Sequence, residues 1–248
     1  MRILLTGASS GLGAEMARQF AARGHDLVLT ARRVDRLQSL RAEIEAKHPL
    51  RTVEVSALDV LDNTAVHTVF QQHAPLDRII INAGLGGGKP VGTGHAEHNL
   101  RIATTDFVAA ISQAEAAMDL FRSTGRGHLV FISSFSAIRG LRGGPAVYSA
   151  AKRGIAHLAE GLRSETLRTD ITITTVYPGY IRSEMTAHQS NAPFTVDTEP
   201  GVRVMVAGIE KQRASVFAPS WPWAPLSLLF RLAPLPLLHR LTPPSHGD

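Results

Sequence analysis

The chain contains no cysteine and only four lysines among its 248 residues. Without cysteine the protein can form neither a disulfide framework nor a catalytic thiolate. Aromatic residues make up only 6% of the chain, and the arginines that dominate its formal net charge of +5 are scattered. No basic stripe alternates with stacking aromatic side chains, so the sequence does not indicate a nucleic-acid-binding surface.

A signal-peptide pattern is also missing. Met1 and Arg2 lead directly into the strand-like run ILLTG, without a basic region, an apolar core and a small-residue cleavage site. The cytoplasm is therefore the expected location. With 44% hydrophobic residues, the chain has the composition and length of one globular domain that buries a full sheet and its covering helices.

Short apolar runs alternate with amphipathic stretches along most of the chain, a pattern that indicates parallel strands buried on both faces. The predicted strands are Ile3–Thr6, Leu27–Thr30, Val53–Val55, Ile79–Ile81, Leu129–Ile132, Ile171–Val176 and Ser215–Phe217. The predicted helices include Ala14–Ala22, Val34–Lys47, Thr64–Gln72, Phe107–Phe121 and Val147–Leu167. This order predicts an α/β fold: a doubly wound parallel sheet of the Rossmann type in a single domain.

Two segments interrupt the alternation. Residues 84–94, GLGGGKPVGTG, form a predicted loop, and Pro90 stands where a phosphate-binding loop requires Ser or Thr. Residues 218–241 are apolar without an acidic residue, but prolines divide them too often for the span of about 20 residues that a membrane needs. We expect this tail to cap a pocket or pack against another subunit. Peripheral membrane contact through Trp221 and Trp223 is the alternative.

The stretch TGASSGLG, Thr6–Gly13, follows the first strand and opens the first helix. Gly7, Gly11 and Gly13 let the backbone turn sharply and approach a pyrophosphate, whose charge is met by amides at the helix N-terminus. The same letters fit G-x-S-x-G, the nucleophile elbow of serine hydrolases, with Ser9 as the nucleophile. That fold needs earlier strands and an oxyanion loop, so a serine hydrolase is only a remote alternative.

Basic and polar residues follow the next strands. Arg32 and Arg33 stand where an acidic residue would accept hydrogen bonds from an adenosine ribose, and arginine there suits a 2′-phosphate, which favours NADP(H). Asp59 and Val60 follow the third strand and are placed to hold an adenine. The fourth strand is followed by Asn82, Ala83 and Gly84.

Taken in order, these motifs resemble the short-chain dehydrogenase/reductase family of the single-domain kind. The matching residues are Thr6-Gly7…Gly11-Leu12-Gly13, Asp59-Val60, Asn82-Ala83-Gly84, Ser133-Ser134, Tyr148-x-x-x-Lys152, and Pro178-Gly179 with Ile181 and Ser183. Residues 1–185 are expected to form the dinucleotide-binding and catalytic core. Residues 186–248 would supply the substrate loop, the last helix and strand, and the apolar tail of the same domain.

The resemblance implies an NADP(H)-dependent oxidoreductase that interconverts a carbonyl and a secondary alcohol on an apolar small molecule. Tyr148 would be the acid and base, because Lys152, one helical turn away, lowers the pKa of a phenol that is otherwise about 10. Ser134 would hold the substrate oxygen. The cofactor-binding residues would be Gly7, Ser9, Ser10, Gly11, Leu12, Gly13, Arg32, Arg33, Asp59, Val60, Asn82, Ala83, Gly84, Tyr148, Lys152, Pro178, Gly179, Ile181 and Ser183.

Two departures from the family pattern affect the prediction. The interval from Ser134 to Tyr148 is one residue longer than usual, which makes Ser136 an alternative hydroxyl. Asp106 falls where the family offers an asparagine, so a binding module that holds NADP(H) with little turnover is a second hypothesis. His95 and His98 have no evident third ligand, and no metal site is predicted. The resemblance also implies a homodimer or homotetramer.

Overall fold

The centre of the molecule is a seven-stranded parallel sheet. The structure, a computed structural model, describes residues 1–142, 144–186 and 193–241. The sheet order is β3-β2-β1-β4-β5-β6-β7, and its strands are β1 (Arg2–Thr6), β2 (Asp26–Ala31), β3 (Val53–Ala57), β4 (Arg78–Ile81), β5 (Arg126–Ile132), β6 (Asp170–Pro178) and β7 (Ser215–Ala218). Because β1 pairs with both β2 and β4, the strand order reverses there, as a doubly wound sheet requires. The predicted fold class is confirmed.

Helices cover both faces of this sheet. They are α1 (Gly11–Ala22), α2 (Val34–Lys47), α3 (Asn63–Gln72), α4 (Ala96–Ala103), α5 (Ala109–Thr124), α6 (Pro145–Glu165), α7 (Thr198–Glu210), α8 (Ser220–Leu232) and α9 (Leu235–Leu241). Successive strand residues face opposite helix layers: Leu5 packs in the layer of Phe20 and Met205, whereas Leu4 packs in the layer of Phe70. Burial on both faces explains the continuous apolar runs of the strands.

The helix predicted over Phe107–Phe121 is longer and less regular than its sequence pattern indicates. It begins with α4, and a π-helical segment, Thr104–Val108, joins α4 to α5. The wider π turn changes the register of the residues that follow the bend, and such turns are frequent at functional sites. This one carries Asp106, which is 1% exposed.

The tail forms α8 and α9 and packs onto the domain. Trp223 in α8 and Leu238 in α9 are buried, whereas Trp221 is 78% exposed. Among the described residues, no helix has both the length and the apolar character to cross a membrane. Peripheral membrane contact through both tryptophans is not supported either, because Trp223 lies inside the protein.

Candidate active site

The glycine-rich turn after β1 is fastened to the end of β4. The Asn82 side-chain amide donates hydrogen bonds to the carbonyl oxygens of Thr6 (3.0 Å) and Gly7 (3.2 Å). The Thr6 hydroxyl accepts hydrogen bonds from the backbone N–H groups of Asn82 (3.1 Å) and Ala83 (3.2 Å). Gly7 has a φ of +67°, and a Cβ added there would lie 2.8 Å from the Cα of Ala83. Only glycine fits this close approach.

The turn delivers the chain to the N-terminus of α1. Ser10 occupies the N-cap position but makes no side-chain capping hydrogen bond, which leaves the amides of the first turn available to an anion. Gly13 packs tightly beneath: a Cβ added to it would lie 2.3 Å from the carbonyl oxygen of Gly7. Gly11 and Leu12 complete this first turn. The cradle has the shape and the donors that a pyrophosphate needs.

Two arginines border this cradle, and one of them was not anticipated from the sequence. Arg33 donates hydrogen bonds to the hydroxyls of Ser9 (3.1 Å) and Ser10 (2.6 Å). Arg36, one turn into α2, donates to Glu184 Oε1 at 2.6 Å, and this hydrogen bond holds the pKa of Glu184 below its ordinary value. Arg32 is exposed beside them. The spacing of Arg36 from Arg33 was the available signal, since three residues along a helix is one turn.

Asp59 and Val60 lie at the carboxyl end of β3, on the same sheet edge. Asp59 is exposed, and its Oδ1 accepts a hydrogen bond from the backbone N–H of Leu61 at 3.1 Å. Val60 is buried. The carboxyl ends of parallel strands meet at one edge, so both residues share the edge of the nucleotide turn. That they hold an adenine stays a prediction.

Tyr148 and Lys152 lie one turn apart on α6 and face the end of β5. The Lys152 Nζ atom is 5.8 Å from the centroid of the Tyr148 ring and donates a hydrogen bond to the carbonyl oxygen of Ile132 at 3.2 Å. The Ser133 hydroxyl donates to the carbonyl oxygen of Lys152 at 2.8 Å. Both contacts fix α6 against the last residues of β5.

Ser134 connects the tyrosine with the segment that follows β5. Its side chain stands close enough to the Tyr148 phenol to act on it, in the direction that lowers the pKa of the phenol. Its hydroxyl oxygen also accepts hydrogen bonds from the hydroxyl (2.9 Å) and the backbone N–H (3.2 Å) of Ser136. The two serines therefore form one chain of hydroxyls, in which Ser134 contacts Tyr148 and Ser136 supports Ser134.

Asp106 completes the group from the π-helical segment. Its Oδ2 atom lies 3.5 Å from Lys152 Nζ, and its Oδ1 accepts a hydrogen bond from the backbone N–H of Leu85 at 2.6 Å. Gly84 makes room for this pair, since a Cβ added to it would lie 3.1 Å from both Asp106 Oδ1 and Lys152 Nζ. The structure thus brings Asp106 to the lysine, as the sequence comparison with the family suggested.

Burial and charge pull on these groups in opposite directions. Burial lowers the pKa of Lys152, but the Asp106 carboxylate and the Tyr148 phenol outweigh it and raise the pKa above its ordinary value. Burial raises the pKa of Asp106, against the charge of Lys152. Burial also raises the pKa of Tyr148; Lys152 and Ser134 act to lower it, and Asp106 acts to raise it. The tyrosine is therefore sensitive to both members of the ion pair.

The residues after β6 form the opposite wall. Pro178 and Ile181 are buried, and the Ser183 backbone N–H donates to the hydroxyl of Thr186 at 2.9 Å. A Cβ added at Gly11 would lie 3.4 Å from the Cβ of Ser183, which places Ser183 against the nucleotide turn. Residues 187–192, in the predicted substrate loop, lie outside the described residues.

Loop 84–94 and the alanines of α6 take positions that the sequence did not reveal. Asn99 fastens the loop, because its side-chain amide pairs with both the N–H and the carbonyl of Lys89, each at 2.9 Å. Ala146, Ala150 and Ala151 of α6 line an open apolar groove together with Phe107.

Comparison of the sequence with those of known proteins gives the family of this chain. A family model described as short chain dehydrogenase matches residues 1–193. An uncharacterized oxidoreductase of Mycobacterium tuberculosis is 45% identical over 243 residues, which cover 96% of each chain. An NADP-dependent 3-hydroxy acid dehydrogenase of Schizosaccharomyces pombe is 30% identical over 188 residues, covering 73% of this chain and 72% of that protein.

A solved structure is similar over almost the whole length. The short-chain dehydrogenase from Sphingobium yanoikuyae in complex with NADPH has a TM-score of 0.83 and 29% sequence identity, and the match covers 92% of this chain and 91% of that one. The match with the family model extends from the nucleotide turn beyond the Tyr148–Lys152 pair. The chain therefore belongs to the short-chain dehydrogenase/reductase family of oxidoreductases.

Proposed function

We propose that the protein is an NADP(H)-dependent oxidoreductase that interconverts a carbonyl and a secondary alcohol on an apolar small molecule. The observation that carries this proposal is the convergence of Ser134, Tyr148 and Lys152 beside the nucleotide turn. A phenol beside a serine hydroxyl, with a buried ammonium 5.8 Å from the centroid of its ring, is suited to moving one proton to or from an oxygen atom.

The described residues fit the cofactor. The uncapped N-terminus of α1 and the close packing of Gly7 and Gly13 suit a pyrophosphate. Arg32, Arg33 and Arg36 would leave a net positive charge beside a 2′-phosphate even though Glu184 is paired with Arg33 and Arg36, and this supports NADP(H) over NAD(H). The NADPH bound to the solved relative and the name of the yeast relative point to the same cofactor.

When bound, the nicotinamide donates or accepts the hydride. In reduction, Ser134 would hold the substrate carbonyl oxygen by a hydrogen bond while Tyr148 gives its phenolic proton to that oxygen. Lys152 stabilises the phenolate that remains. One of its Nζ protons is used by Ile132 and one faces Asp106, which leaves the third to orient a ribose hydroxyl. In oxidation the same phenolate accepts the proton of the alcohol.

The remaining predicted residues would enclose the cofactor. Asp59 and Val60 would hold the adenine, while Asn82, Ala83 and Gly84 would lie under the ribose next to the nicotinamide. Pro178, Gly179 and Ile181 would wall the nicotinamide ring. Ser183, or the Thr186 hydroxyl that is hydrogen-bonded to it, would bind the carboxamide.

The other two hypotheses are less well supported. For a serine hydrolase, Ser9 would need a histidine base, but among the described residues its hydroxyl contacts Arg33. A binding module with little turnover would need the ion pair of Asp106 and Lys152 to silence Tyr148. Asp106 opposes the effect of Lys152 on the pKa of Tyr148, but it also holds the ammonium in its charged form.

We further propose that the protein forms a homodimer or homotetramer through apolar surface such as the groove lined by Phe107 and Ala150. Cytoplasmic location stays a prediction. Light scattering of the purified chain tests the oligomer; a monomer at all concentrations would contradict it.

The proposed activity is tested by following NADPH absorbance with a panel of ketones, and NADP⁺ reduction with the matching alcohols. We expect turnover with at least one apolar pair and a preference for NADPH over NADH. NADPH binding without turnover across the panel would favour the binding module. Labelling of Ser9 by a reactive-serine probe would favour the hydrolase.

A further inference from the structure

An aromatic cluster joins the tail to the active site. The Trp223 ring of α8 lies 4.5 Å from the ring of Phe135, 5.5 Å from that of Tyr180 and 6.2 Å from that of Phe194, measured between centroids. Trp223 itself is 5% exposed. Such tilted and edge-to-face contacts are favourable for aromatic pairs, so the indole is held firmly in one orientation.

Two of the rings that contact this indole are next in sequence to predicted site residues. Phe135 directly follows Ser134, the candidate holder of the substrate oxygen, and Tyr180 directly follows Gly179 of the predicted nicotinamide wall. A Cβ added at Gly179 would lie 2.3 Å from Trp223 Nε1. Trp223 therefore stands between the two segments that a reacting substrate must touch.

The indole nitrogen is the unusual part of the cluster. Trp223 Nε1 is buried and has no hydrogen-bond partner among the described residues. Buried donors are almost always paired, and an unpaired donor calls for a ligand, an ion or a role in function. Among the described residues, the neighbours named above are aromatic rings and Gly179, and none of them accepts a hydrogen bond from Nε1. A ligand that brings its own acceptor oxygen would satisfy it.

We propose that Trp223 recognises the substrate, its ring packing on the apolar body of a large ketone or secondary alcohol while its Nε1–H donates to a second oxygen of that molecule. The inference rests on the proposed function and adds a substrate class. That class is an apolar ketone or alcohol with a further acceptor, such as an ether, ester or carbonyl oxygen, away from the reacting carbon.

In this proposal, Phe194 is the side chain that leaves its contact with Trp223 when the substrate binds. It is 58% exposed and has a φ of +57°, a backbone conformation that is strained for phenylalanine. The chain beyond it is anchored, because Val196 forms an isolated bridge with Ile181. Phe194 can therefore leave the edge of the indole without moving that anchor, and the substrate takes its place.

The test compares aryl alkyl ketones of equal size in which an ether oxygen replaces one methylene group at successive chain positions. In the unmodified protein with NADPH, we expect one position of the oxygen to raise kcat/KM about tenfold through KM, the effect of one net hydrogen bond. Trp223→Phe keeps a ring but removes the donor, so this preference should vanish. Trp221→Phe, the same change at an exposed position, should retain it.

Three results would overturn the inference: no preference in the unmodified protein, a preference that survives Trp223→Phe, or an equal loss in Trp221→Phe. Absence of any ketone reduction by the unmodified protein would instead contradict the proposed function, and this inference with it. The two failures are thus distinguishable from the same data.

Fluorescence keeps the inference testable if Trp223→Phe does not fold. In Trp221→Phe, Trp223 is the only tryptophan of the chain. Adding the preferred ether ketone to this variant with NADP⁺, which cannot reduce it, should change the emission beyond the change caused by NADP⁺ alone. The methylene ketone at the same occupancy should change it less. An emission that does not respond to either ketone would overturn the inference.

Discussion

The protein buries a cation at each edge of its sheet, and the two sites differ in how completely the cation is paired. At the carboxyl edge, Lys152 lies 3.5 Å from Asp106, whose Oδ2 is buried without a hydrogen bond among the described residues. At the amino edge, Arg78 begins β4 and donates to Glu210 at 2.5 Å and to His128 Nδ1 at 2.9 Å.

Around Arg78 the contacts at the amino edge are paired. The neighbouring His25, whose Nε2 lies 3.3 Å from Glu210, keeps a buried Nδ1 without a hydrogen-bond partner among the described residues. The Cζ atom of the Arg78 guanidinium lies 5.6 Å from the centroid of the Phe20 ring. The other ring nitrogen of His128, Nε2, is hydrogen-bonded to the Thr174 hydroxyl at 2.8 Å. Because His128 Nδ1 accepts from Arg78, the imidazole is neutral; burial, assisted by the charge of Arg78, lowers its pKa to about 3. Arg78 is thus paired with Glu210 and His128, and His128 with Thr174.

The comparison shows how to separate a structural buried charge from a chemical one. A buried network in which every donor and acceptor is paired mainly specifies the fold. A network with an unused donor or acceptor can bind a ligand or respond to a change of protonation. Lys152 retains protons and Asp106 retains a lone pair, and both sit beside Tyr148. The groups paired with Arg78 do not lie beside a candidate catalytic residue. The predictions below test this contrast.

The largest effect is expected at the carboxyl edge. Tyr148→Phe removes one hydroxyl and little volume, so turnover should fall by about 10²–10⁴-fold, the usual contribution of a positioned acid. NADPH affinity, measured by fluorescence titration, should stay nearly unchanged. Loss of more than about tenfold in affinity, roughly 1.4 kcal/mol, would show that Tyr148 is a scaffold for the cofactor instead.

A substitution at the amino edge should lower the free energy of unfolding and leave turnover unchanged. Arg78→Met removes the buried guanidinium from Glu210 and His128. Removing one member of a fully buried pair costs about 3–5 kcal/mol; Glu210 is 29% exposed and keeps its contact with His25, so the expected loss lies toward the lower end of this range. Denaturant unfolding measures this loss, and turnover per folded molecule should stay unchanged.

The exposed pair of Arg122 and Glu165 provides the control for the amino edge. Arg122→Met should cost at most about 1 kcal/mol, because both side chains remain in solvent. If Arg78→Met costs no more than this control, the amino-edge network does not carry the stability assigned to it.

Cofactor preference is the next effect in size. Arg32→Ala should weaken NADPH binding by about 1.5–3 kcal/mol through loss of a charge-assisted contact, and NADH binding far less, since only NADPH carries the 2′-phosphate. Arg41→Ala, on α2 and paired with Glu45, should alter neither affinity. Equal losses for both cofactors in Arg32→Ala would give Arg32 a structural role.

Much of this molecule could be predicted from local sequence patterns. The strands were readable because parallel strands are apolar on both faces, and the nucleotide turn because glycines with fixed spacing open a helix. Tyr148 and Lys152 needed only the helical repeat, which puts them on one face. These features depend on residues that are neighbours in the chain.

Features that depend on packing between distant segments of the chain could not be predicted from the sequence. Arg78 and Glu210 are 132 residues apart, and each has the appearance of an ordinary surface charge. The π-helical segment that carries Asp106 has no sequence signal of its own. The tail was predicted to cap a pocket or pack against another subunit. Which tryptophan enters the protein follows from the bend of α8, where Trp221 has non-helical backbone angles.

The most direct test of the contrast between the two edges is the pH dependence of alcohol oxidation in Asp106→Asn. Asp106 raises the pKa of Tyr148, so its removal should lower that pKa. Oxidation needs the phenolate, and the pH–rate profile should therefore move to lower pH, with the fold preserved because the change is nearly isosteric. A shift to higher pH, or an unshifted profile with unchanged rates, would contradict the claim that the open pair at the carboxyl edge tunes Tyr148.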